Sequence, residues 1–440
     1  MNRGLTAHYH TFGCKLNFAE TASISASLAE KGIAVNNGDC APDFVIVNTC
    51  SVTEEADRKC RRAIRSFNKR WPMASIIVTG CYAQLKPEEA SSLPGVKVVA
   101  GSDRKMDIYA FVERIMNERN ATTIVDACRT ADIRDFRPSC SRGDRTRFFL
   151  KVQDGCDYYC TYCTIPRARG RSRSGKIDEL VAMAAEAAAQ GGREIVITGV
   201  NVGDFGKGRS DTFFDLIRAL DEVDGIARYR ISSIEPNLLT DEIIRWVAAD
   251  SRAFMPHFHI PLQAGSDEVL KLMRRKYDTS LFRQKITTVR EALPHAFIGV
   301  DLITGARGET PELFEESRRF IESLPISRLH VFPYSERPST KALDIDYTVP
   351  VGEHRRRTEE MIRLSDRKWE EFARQFVGTA RAVLLEHPRN NRPMAGFTDN
   401  YLRVEVKDAS ADTDNTILPV QITDIDPLRE TLKGVLLKNL

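Results

Sequence analysis

Residues 148–163 read FFLKVQDGCDYYCTYC, an apolar segment typical of a buried strand followed by three cysteines. The cysteines are Cys156, Cys160 and Cys163, with three residues in the first gap and two in the second. A zinc ribbon takes four Cys or His ligands, and no fourth thiol or histidine lies near these three in the sequence. An iron–sulfur cube held by three thiolates leaves one iron free to bind a small molecule. The spacing therefore favours an open cluster in this loop, with zinc as the alternative.

From residue 147 onward, strand-like segments alternate with helical ones. Predicted helices include 177–190, which Gly191 and Gly192 close, and 311–323. Six βα units predict an open, partial version of the eight-unit barrel, with active groups in the loops that follow the strands. The six strand candidates are FFLKV (148–152), EIVITGV (194–200), RYRISSI (228–234), HFHIPLQ (257–263), FIGVDLI (297–303) and RLHVFPY (328–334).

The first hundred residues show a similar alternation. Short β-branched segments at 44–47 (FVIV) and 75–78 (SIIV) alternate with helical spacing at 19–30, 54–70 and 105–116. This pattern predicts a Rossmann-like parallel α/β sheet.

Three further cysteines lie where strands of that sheet are expected to end. Cys14 follows HYHTF, Cys50 ends FVIVNTC, and Cys81 ends SIIVTGC. Because the carboxyl ends of parallel strands share one edge of a sheet, these cysteines are expected to converge into a second triplet. Any one of them alone would be better explained as a small buried residue.

The last part of the chain has a different pattern. Residues 351–374 are charged and predict a helix, and short alternating segments follow Gly378. Residues 375–440 contain eight Lys or Arg against nine Asp or Glu, so their charge does not predict nucleic-acid binding. A small all-β barrel is expected from the segments ARAVLLE (380–386), NYLRVEV (400–406), ILPVQITDID (417–426) and GVLLKNL (434–440).

Size and composition exclude some classes of protein. The length of 440 residues predicts two to four domains. The formal net charge of the chain is +3. No basic start precedes an apolar segment and no long uncharged apolar run occurs, so we expect a cytoplasmic protein that does not enter membranes. The remaining cysteines are expected to be small buried residues; they are Cys40, Cys60, Cys128 and Cys140.

Basic residues cluster in two runs beside cysteine motifs. One run is RKCRRAIRSFNKR (58–70), and the other extends from Arg167 to Lys176. Each run alone is typical of a solvated face, but together they favour a polyanionic partner such as RNA. The candidate RNA-binding residues are Arg58, Arg61, Arg62, Arg65, Arg167, Arg169 and Arg171.

The spacing of the 156–163 loop, with Tyr162 before the last cysteine, resembles that of the radical S-adenosylmethionine (SAM) enzymes. The resemblance implies that Cys156, Cys160 and Cys163 bind a 4Fe–4S cluster whose open iron binds SAM, and that an electron from the cluster splits SAM into a 5′-deoxyadenosyl radical. Helix caps or turns are the alternative roles of the implied SAM contacts. These contacts are Gly191, Gly192 and Glu194 before the second barrel strand, and Ser233, Glu235, Gln263, Ser266 and Asp301 at later strand ends.

Most of the chain resembles the methylthiotransferase subgroup of these enzymes. The motifs are FGCKLN, NTCSVT, TGCYAQ, QDGCDYYCTYCTIPRARG, ITGVNVGDFG, ISSIEP, LQAGSDEVLKLMRRKY and AGFTDNYLRVEV. The resemblance implies a second 4Fe–4S cluster on Cys14, Cys50 and Cys81, a small redox protein such as flavodoxin or ferredoxin as electron donor, and three domains. These are an N-terminal domain (1–140), a radical SAM core (145–372) and a TRAM-like RNA-binding barrel (375–440).

The wording of GCKLN, NTCSVTEEADRKCR and QDGC is similar to the branch that modifies threonylcarbamoyladenosine (t6A) at tRNA position 37, giving its 2-methylthio derivative (ms2t6A). The alternatives are methylthiolation of isopentenyladenosine, whose enzymes more often have Gln and Met in the first motif, or of a ribosomal-protein aspartate. A zinc-bearing RNA-binding protein is the alternative from another class. The chain departs from the family pattern at Ala306, Arg307 and Ser339, where the family has Phe, Pro and Gly.

Overall fold

The computed structural model describes residues 4–38, 40–118, 122–141, 146–387 and 393–437. The first part of the chain forms one six-stranded parallel sheet with the order β2-β1-β3-β4-β5-β6. Its strands are β1 (Thr6–Thr11), β2 (Ala34–Val35), β3 (Phe44–Thr49), β4 (Ser75–Gly80), β5 (Val96–Ala100) and β6 (Ile124–Asp126).

The strand order reverses between β1 and β3, and this is the crevice where open α/β sheets bind ligands. The order is that of a doubly wound sheet, as the sequence predicted. The helices of this unit are α1 (Lys15–Glu30), α2 (Glu54–Arg70), α3 (Cys81–Leu85), α4 (Pro87–Ser91) and α5 (Ile108–Asn117).

Helix α2 shows why these boundaries arise. The Thr53 hydroxyl accepts a hydrogen bond from the Ala56 N–H and caps the helix. Acidic residues occupy its first turn and basic residues its last, as the helix dipole favours. Helix α1 begins at Lys15, four residues before the predicted start, because the cysteine loop leads directly into it.

The second part of the chain contains two main sheets and a small antiparallel pair formed by β9 and β10. One has the order β12-β11-β8-β7, the other β13-β14-β15, and the parallel bridge between Ser233 and His259 links them. The six predicted strands are present, each ending within three residues of its expected end. The strands are β7 (Ser139–Cys140), β8 (Arg147–Lys151), β9 (Gln153–Asp154), β10 (Arg173–Ser174), β11 (Glu194–Thr198), β12 (Arg228–Ile231), β13 (His257–Gln263), β14 (Phe297–Thr304) and β15 (Arg328–Pro333).

Helices connect these strands and pack on their outer faces, forming the largest apolar core. The predicted helices at 177–190 and 311–323 are present, and the predicted helix at 351–374 has the expected bounds. The helices are α6 (Ile165–Arg169), α7 (Ile177–Ala189), α8 (Phe213–Asp221), α9 (Asp241–Ala249), α10 (Asp267–Leu272), α11 (Thr279–Ala292), α12 (Pro311–Glu322) and α13 (Val351–Arg374).

Helix α1 of the first unit lies against the opposite, inner face of these strands. Alternate residues of β8 and β11 enter the outer core, whereas Phe149 and Val196 between them form a small cluster with Ala19, against which Phe18 also packs. The N-terminal unit therefore covers part of the inner face of the second unit.

The C-terminal strands form a closed five-stranded barrel, as the sequence predicted. Arg228 and Arg230 of β12 donate hydrogen bonds to four of its backbone carbonyls, so the barrel is attached to the amino ends of the central strands. The end of the predicted last segment, 438–440, lies outside the described residues. The strands are β16 (Ala380–Glu386), β17 (Ala395–Thr398), β18 (Arg403–Val406), β19 (Ile417–Asp426) and β20 (Thr431–Leu436).

Across the described ranges, none of the helices combines the length and apolar character that a membrane span requires.

Candidate active site

The loop that carries Cys156, Cys160 and Cys163 follows β8 and β9 and ends at α6. It folds back closely on itself: Gly155 has φ of 70°, and a Cβ atom there would lie 2.0 Å from the Arg171 carbonyl oxygen. Only glycine fits this approach without moving the backbone. The loop therefore lies at the carboxyl ends of the strands, where such folds place their chemistry.

Each sulfur of this triplet accepts one hydrogen bond, an arrangement that suits thiolates bound to iron. Burial raises the pKa of Cys156 and of Cys163 to about 12, so the free thiols keep their protons until a metal displaces them. The donors are the Tyr158 N–H at 3.4 Å from Cys156 Sγ, the Ile165 N–H at 3.4 Å from Cys163 Sγ, and the Arg275 guanidinium at 3.1 Å from Cys160 Sγ.

Arg275 is the main site residue that the sequence reasoning missed. Its side chain is almost fully buried and forms an ion pair with Glu235 besides the bond to Cys160 Sγ. It also lies 3.4 Å from the hydroxyl oxygen of Tyr162. The available signal was a pair of arginines in the quoted motif LKLMRRKY, directly after the apolar face of α10.

The second triplet lies at the β1/β3 edge of the N-terminal sheet. Cys14 precedes α1, Cys50 follows β3, and Cys81 begins α3 after β4. A Cβ atom on Gly13 would lie 3.1 Å from Cys50 Sγ, so glycine lets the first loop approach the second. Burial raises the pKa of Cys50 to about 12, and the nearby Cys81 and Cys14 thiols add to the increase. The structure thus brings the three loops together.

In the part of the chain that the structure describes, no three His, Cys, Asp or Glu side chains converge as ligands of one metal ion. Ligands of a multi-iron cluster bind separate irons and stand farther apart than ligands of a single ion. Partly buried thiols that accept N–H hydrogen bonds are a suitable donor set for such a cluster.

The two triplets lie next to each other. The Thr164 hydroxyl, one residue after Cys163, lies 3.4 Å from the carbonyl oxygen of Ser51, one residue after Cys50. Arg337, from the loop after β15, reinforces the contact by donating to the Ser51 hydroxyl at 2.9 Å and to Asp57 at 2.7 Å. A substrate placed between the loops can therefore reach both sites.

A cavity of about 230 Å³ lies beside the contact between Thr164 and Ser51 at the strand ends, and residues of both loops line it. Gln263 lines it with a φ of 72°, a left-handed conformation that costs a non-glycine residue energy and is common at functional sites. The buried hydroxyl of Tyr334, also in the lining, has no hydrogen-bond partner within the described residues. Phe332 lies at the rim with its side chain about half exposed. These groups are free to contact a ligand.

Four of the predicted SAM contacts lie at this end of the strands: Ser233, Glu235, Gln263 and Asp301. His259 contacts Asp301 at 2.7 Å. Burial raises the pKa of Asp301, but His259, His330 and Lys15 outweigh burial and hold it below the usual value. Ser266 precedes α10, but its hydroxyl does not cap that helix and instead donates to Glu316 of α12 at 3.1 Å.

The prediction that Gly191, Gly192 and Glu194 approach SAM is wrong. They lie at the amino end of β11, about 13 Å of extended strand from the end beside the cysteine loop. Glu194 is buried and paired with Arg230, and the Gly191 carbonyl accepts a hydrogen bond from Asn415 of the C-terminal barrel. The turn that follows this strand is formed by residues 199–201.

The structure also contradicts the predicted role of Arg169 in RNA binding, because this side chain is buried beside carboxylates. Its guanidinium donates to Glu20 at 3.1 Å, to Asp154 at 2.9 Å and to Asn17 at 2.6 Å. Glu20 also pairs with Lys151 and Lys105. This buried ion network joins α1 to β8, to β9 and to α6, the short helix that follows the first cysteine triplet.

The other RNA candidates remain at the surface, apart from Arg61, which Glu54 and Glu89 hold in ion pairs. Arg58 is exposed and paired with Glu55. Arg62 and Arg65 are exposed on α2, and Arg167 and Arg171 are exposed on either side of the buried Arg169.

A groove beside the first cysteine loop gathers several of these groups. It has a volume of about 610 Å³ and is lined by Arg134, Tyr159, Arg167 and Arg171, among others. Tyr159 is about half exposed and has φ of 52°. An exposed ring beside arginines is the arrangement that stacks on nucleobases and pairs with phosphates. The sequence analysis missed Tyr159 and Arg134.

The remaining expectations had mixed outcomes. Cys60 and Cys140 are buried as predicted, but Cys40 is exposed and Cys128 is only partly buried. Ser339, where the family has glycine, adopts φ of 61°, a conformation that glycine would accept without strain.

Comparisons with known proteins place these features in context. A family model described as "Uncharacterized protein family UPF0004" matches residues 6–101, and "Radical SAM superfamily" matches residues 150–321. "Threonylcarbamoyladenosine tRNA methylthiotransferase MtaB" of Bacillus subtilis (strain 168) is 37% identical over 408 residues, covering 91% of this chain and 90% of the relative. The Thermotoga maritima protein of the same name is 35% identical over 402 residues, covering 91% of each chain.

Other similar proteins are named for a different nucleoside or share only the fold. A "tRNA-2-methylthio-N(6)-dimethylallyladenosine synthase" of Corynebacterium jeikeium is 32% identical over 399 residues, covering 87% of this chain and 77% of the relative. The structure of the radical SAM methyltransferase TsrM from Kitasatospora setae, with cobalamin and a [4Fe-4S] cluster bound, has a TM-score of 0.56 and 15% identity, covering 77% of each chain. The latter similarity indicates the fold alone.

Proposed function

The chain belongs to the radical SAM methylthiotransferase family, and from this premise we propose that it adds a methylthio group to carbon 2 of t6A at tRNA position 37, giving ms2t6A. The observation that carries the proposal is the contact between Thr164 and Ser51, which joins the two cysteine loops over one cavity. Methylthiolation of an unactivated carbon requires removal of a hydrogen and delivery of sulfur. Adjacent sites let one bound nucleoside undergo both.

We assign three domains to this activity. Residues 1–140 are the N-terminal domain, 145–372 the radical SAM core and 375–440 a TRAM-like domain; residue 145 lies outside the described ranges. The two linked sheets correspond to one partial (βα)6 barrel, supported by the parallel order of their strands. Strand β7 already pairs with β8, so the change of domain lies close to residue 139.

Enzymes of this family use SAM and an iron–sulfur cluster. We place that cluster on Cys156, Cys160 and Cys163, and a second 4Fe–4S cluster on Cys14, Cys50 and Cys81. Bound there, the first cluster would supply the open iron and the electron for SAM cleavage. The second cluster would supply the site from which sulfur is delivered. The electron donor is expected to be a small redox protein such as flavodoxin or ferredoxin.

Residues around the first triplet hold and orient the ligands. Arg275 fixes Glu235 by an ion pair while it donates to Cys160 Sγ, which keeps a carboxylate beside the cysteine loop. Burial raises the pKa of Glu235 and Arg275 opposes the increase. Glu235 and Asp301 are then placed to accept hydrogen bonds from SAM, whose ammonium and ribose hydroxyl groups are donors.

The RNA partner is expected to contact the exposed arginines of α2 and the groove at Arg167 and Arg171. Phosphate contacts dominate the affinity of such interfaces, and exposed rings stack on unpaired bases. Tyr159 and Phe332 are the exposed rings beside the cysteine loop and the cavity. The anticodon loop presents unpaired bases of this kind.

The N6-dimethylallyl (isopentenyl) form of adenosine is the second candidate substrate, because a relative named as a synthase of its 2-methylthio derivative is 32% identical. A ribosomal-protein aspartate is the third alternative, and the lining of the cavity by aromatic residues favours a base over a short acidic side chain.

The proposal is tested with anaerobically reconstituted protein. Incubation with SAM, a reductant, sulfide and tRNA that carries t6A is expected to give ms2t6A by nucleoside mass spectrometry. Two 4Fe–4S clusters correspond to about eight irons per chain, and Cys14→Ala is expected to remove about half of them. A product only on dimethylallyladenosine tRNA, or no product, would reject the assignment of substrate.

An iron content of about four that Cys14→Ala leaves unchanged would remove the second cluster. The matched control is Cys40→Ala, an exposed cysteine outside both triplets that is expected to retain all the iron. A colourless protein with bound zinc would support the alternative of a non-catalytic RNA-binding protein.

A further inference from the structure

Lys15 occupies an unusual position between the two units. It directly follows Cys14 and is the first residue of α1. Lys15 precedes Phe18 and Ala19 by three and four residues, so all three lie on one face of the helix. Because Phe18 and Ala19 pack near Phe149 and Val196, this face is turned toward the inner side of the barrel strands.

The inner face of the neighbouring strands carries polar groups. Outer-core residues alternate along β13, β14 and β15 with His257, His259, Asp301 and His330, which places these four on the inner side. Burial is the main cause that lowers the pKa values of His257 and His330, and the charge of Lys15 adds a smaller decrease. At Asp301 burial raises the pKa, but His259, His330 and Lys15 together hold it below the usual value, so Lys15 lies near all three groups.

Among the described residues, Lys15 has no hydrogen-bond or ion-pair partner that would explain its place. The anions in the same interior are already engaged, since Glu194 pairs with Arg230 and Asp301 with His259. In the same interior, Nδ1 of the buried His257 also lacks a partner among the described groups.

The position is also unfavourable for stability. A lysine in the first turn of a helix is repelled by the positive end of the helix dipole, and α1 has no acidic residue in its first turn to offset this. A residue that breaks a local rule without a structural gain is most often a functional one.

Substrate chemistry supplies the missing partner. The threonylcarbamoyl group carries a free carboxylate, whereas the dimethylallyl group is apolar and uncharged. We propose that Lys15 binds the carboxylate of the threonylcarbamoyl group and thereby makes the site select this nucleoside over the dimethylallyl one. This inference rests on the proposed function. A cation placed for a carboxylate rejects an apolar analogue strongly, because its charge is then left unpaired.

The location of Lys15 fits the geometry of the reaction. The two substituted positions of the base, C2 and N6, lie on the same side of the six-membered ring. Cys14 belongs to the proposed second cluster, from which sulfur must reach C2. Lys15, the next residue in the chain, binds the carboxylate of the group on N6. Cys14 and Lys15 thereby act on C2 and on the N6 substituent, the two substituted positions of this edge of the base.

The test compares binding of two tRNAs to the reconstituted protein by competition. One carries t6A, and in the other the threonyl carboxylate has been coupled to methylamine through a carbodiimide, which removes its charge. The wild type is expected to bind the carboxylate form at least tenfold more tightly. Lys15→Gln is expected to bring the ratio close to one, and Lys15→Arg to retain a preference for the carboxylate.

Lys31→Gln is the matched control, because Lys31 lies at the far end of α1 and is exposed. It is expected to keep the wild-type ratio. If Lys15→Gln has the same ratio of affinities for the two tRNAs as the wild type, the inference is overturned. Because the measurement is of binding, the result holds even if this variant has no activity. Wild-type conversion of t6A tests the proposed function separately: failure of that conversion rejects the substrate, whereas conversion with an unchanged ratio rejects only the role of Lys15.

Discussion

The buried network around Glu20 gives the sharpest test of how the two units are held together. Glu20 is 1% exposed and accepts from Lys105, Lys151 and Arg169. The substitution Glu20→Gln keeps the size of the side chain but removes the charge that these cations share. Asp154 is then the single carboxylate left within the network that the described residues form.

Removing one member of a buried ion pair costs about 3–5 kcal/mol, because the remaining charge stays buried without compensation. We expect Glu20→Gln to lower the free energy of unfolding of the N-terminal unit by this amount at pH 7. Urea denaturation followed by tryptophan fluorescence measures it, since Trp71 lies in the core of that unit.

The pH dependence follows from the pKa of Glu20. Burial raises this pKa, but Arg169, Lys105 and Lys151 outweigh burial and hold it far below the usual value. The stabilisation is therefore fully present above the unfolded pKa of about 4.3 and is lost only as the pH falls toward the lower folded pKa. The difference between wild type and Glu20→Gln should be constant from about pH 8 to pH 5.

Glu30→Gln is the control, because Glu30 lies at the exposed end of the same helix. Its effect is expected to stay within about 0.5 kcal/mol, as is usual at the surface. If Glu20→Gln were as stable as this control, or if its effect varied between pH 8 and pH 5, the account of the network would be refuted.

Three further substitutions test other contacts. Arg275→Met removes a cation and an N–H donor from Cys160 Sγ, so the reduction potential of the bound cluster should become more negative in a redox titration; an unchanged potential would contradict the role of this contact. Ser339→Gly should raise the free energy of unfolding by about 0.5–1 kcal/mol, measured in urea, by relieving the left-handed backbone. Arg171→Ala should reduce the salt dependence of tRNA binding by about one phosphate contact, whereas Arg355→Ala, on the exposed face of α13, should leave the slope unchanged.

Local patterns predicted the elements of the fold well. The six central strands and α13 follow from local sequence, because short apolar runs between turn residues mark strands that are buried on both faces, and a long charged segment with helical spacing marks α13. Convergence of Cys14, Cys50 and Cys81 followed from a topological rule, since parallel strands end at one edge. The same rule argues against Gly191 and Glu194, which lie before and at the amino end of β11, whereas active groups follow the carboxyl ends of strands.

Contacts between distant segments could not be predicted in this way. Arg169 belongs to a basic run that looks solvated, and only the docking of α1 reveals that Glu20 and Asp154 neutralise it. Arg275 and Arg337 reach the cysteine loops from far along the chain. No local period records such pairs, because ion pairs across a fold depend on packing.

The contact of α1 and Asp57 with the central strands also governs the order of assembly during synthesis. Glu20 and Asp57 have partners in their own unit, Lys105 and Lys86. The ribosome releases both carboxylates long before their other partners Lys151, Arg169 and Arg337 exist. Until those residues emerge, the nascent N-terminal sheet carries two carboxylates whose buried surroundings are incomplete. The pocket around Cys14, Cys50 and Cys81 therefore matures only after most of the chain has been translated, so a fragment ending near residue 140 should not load iron there efficiently.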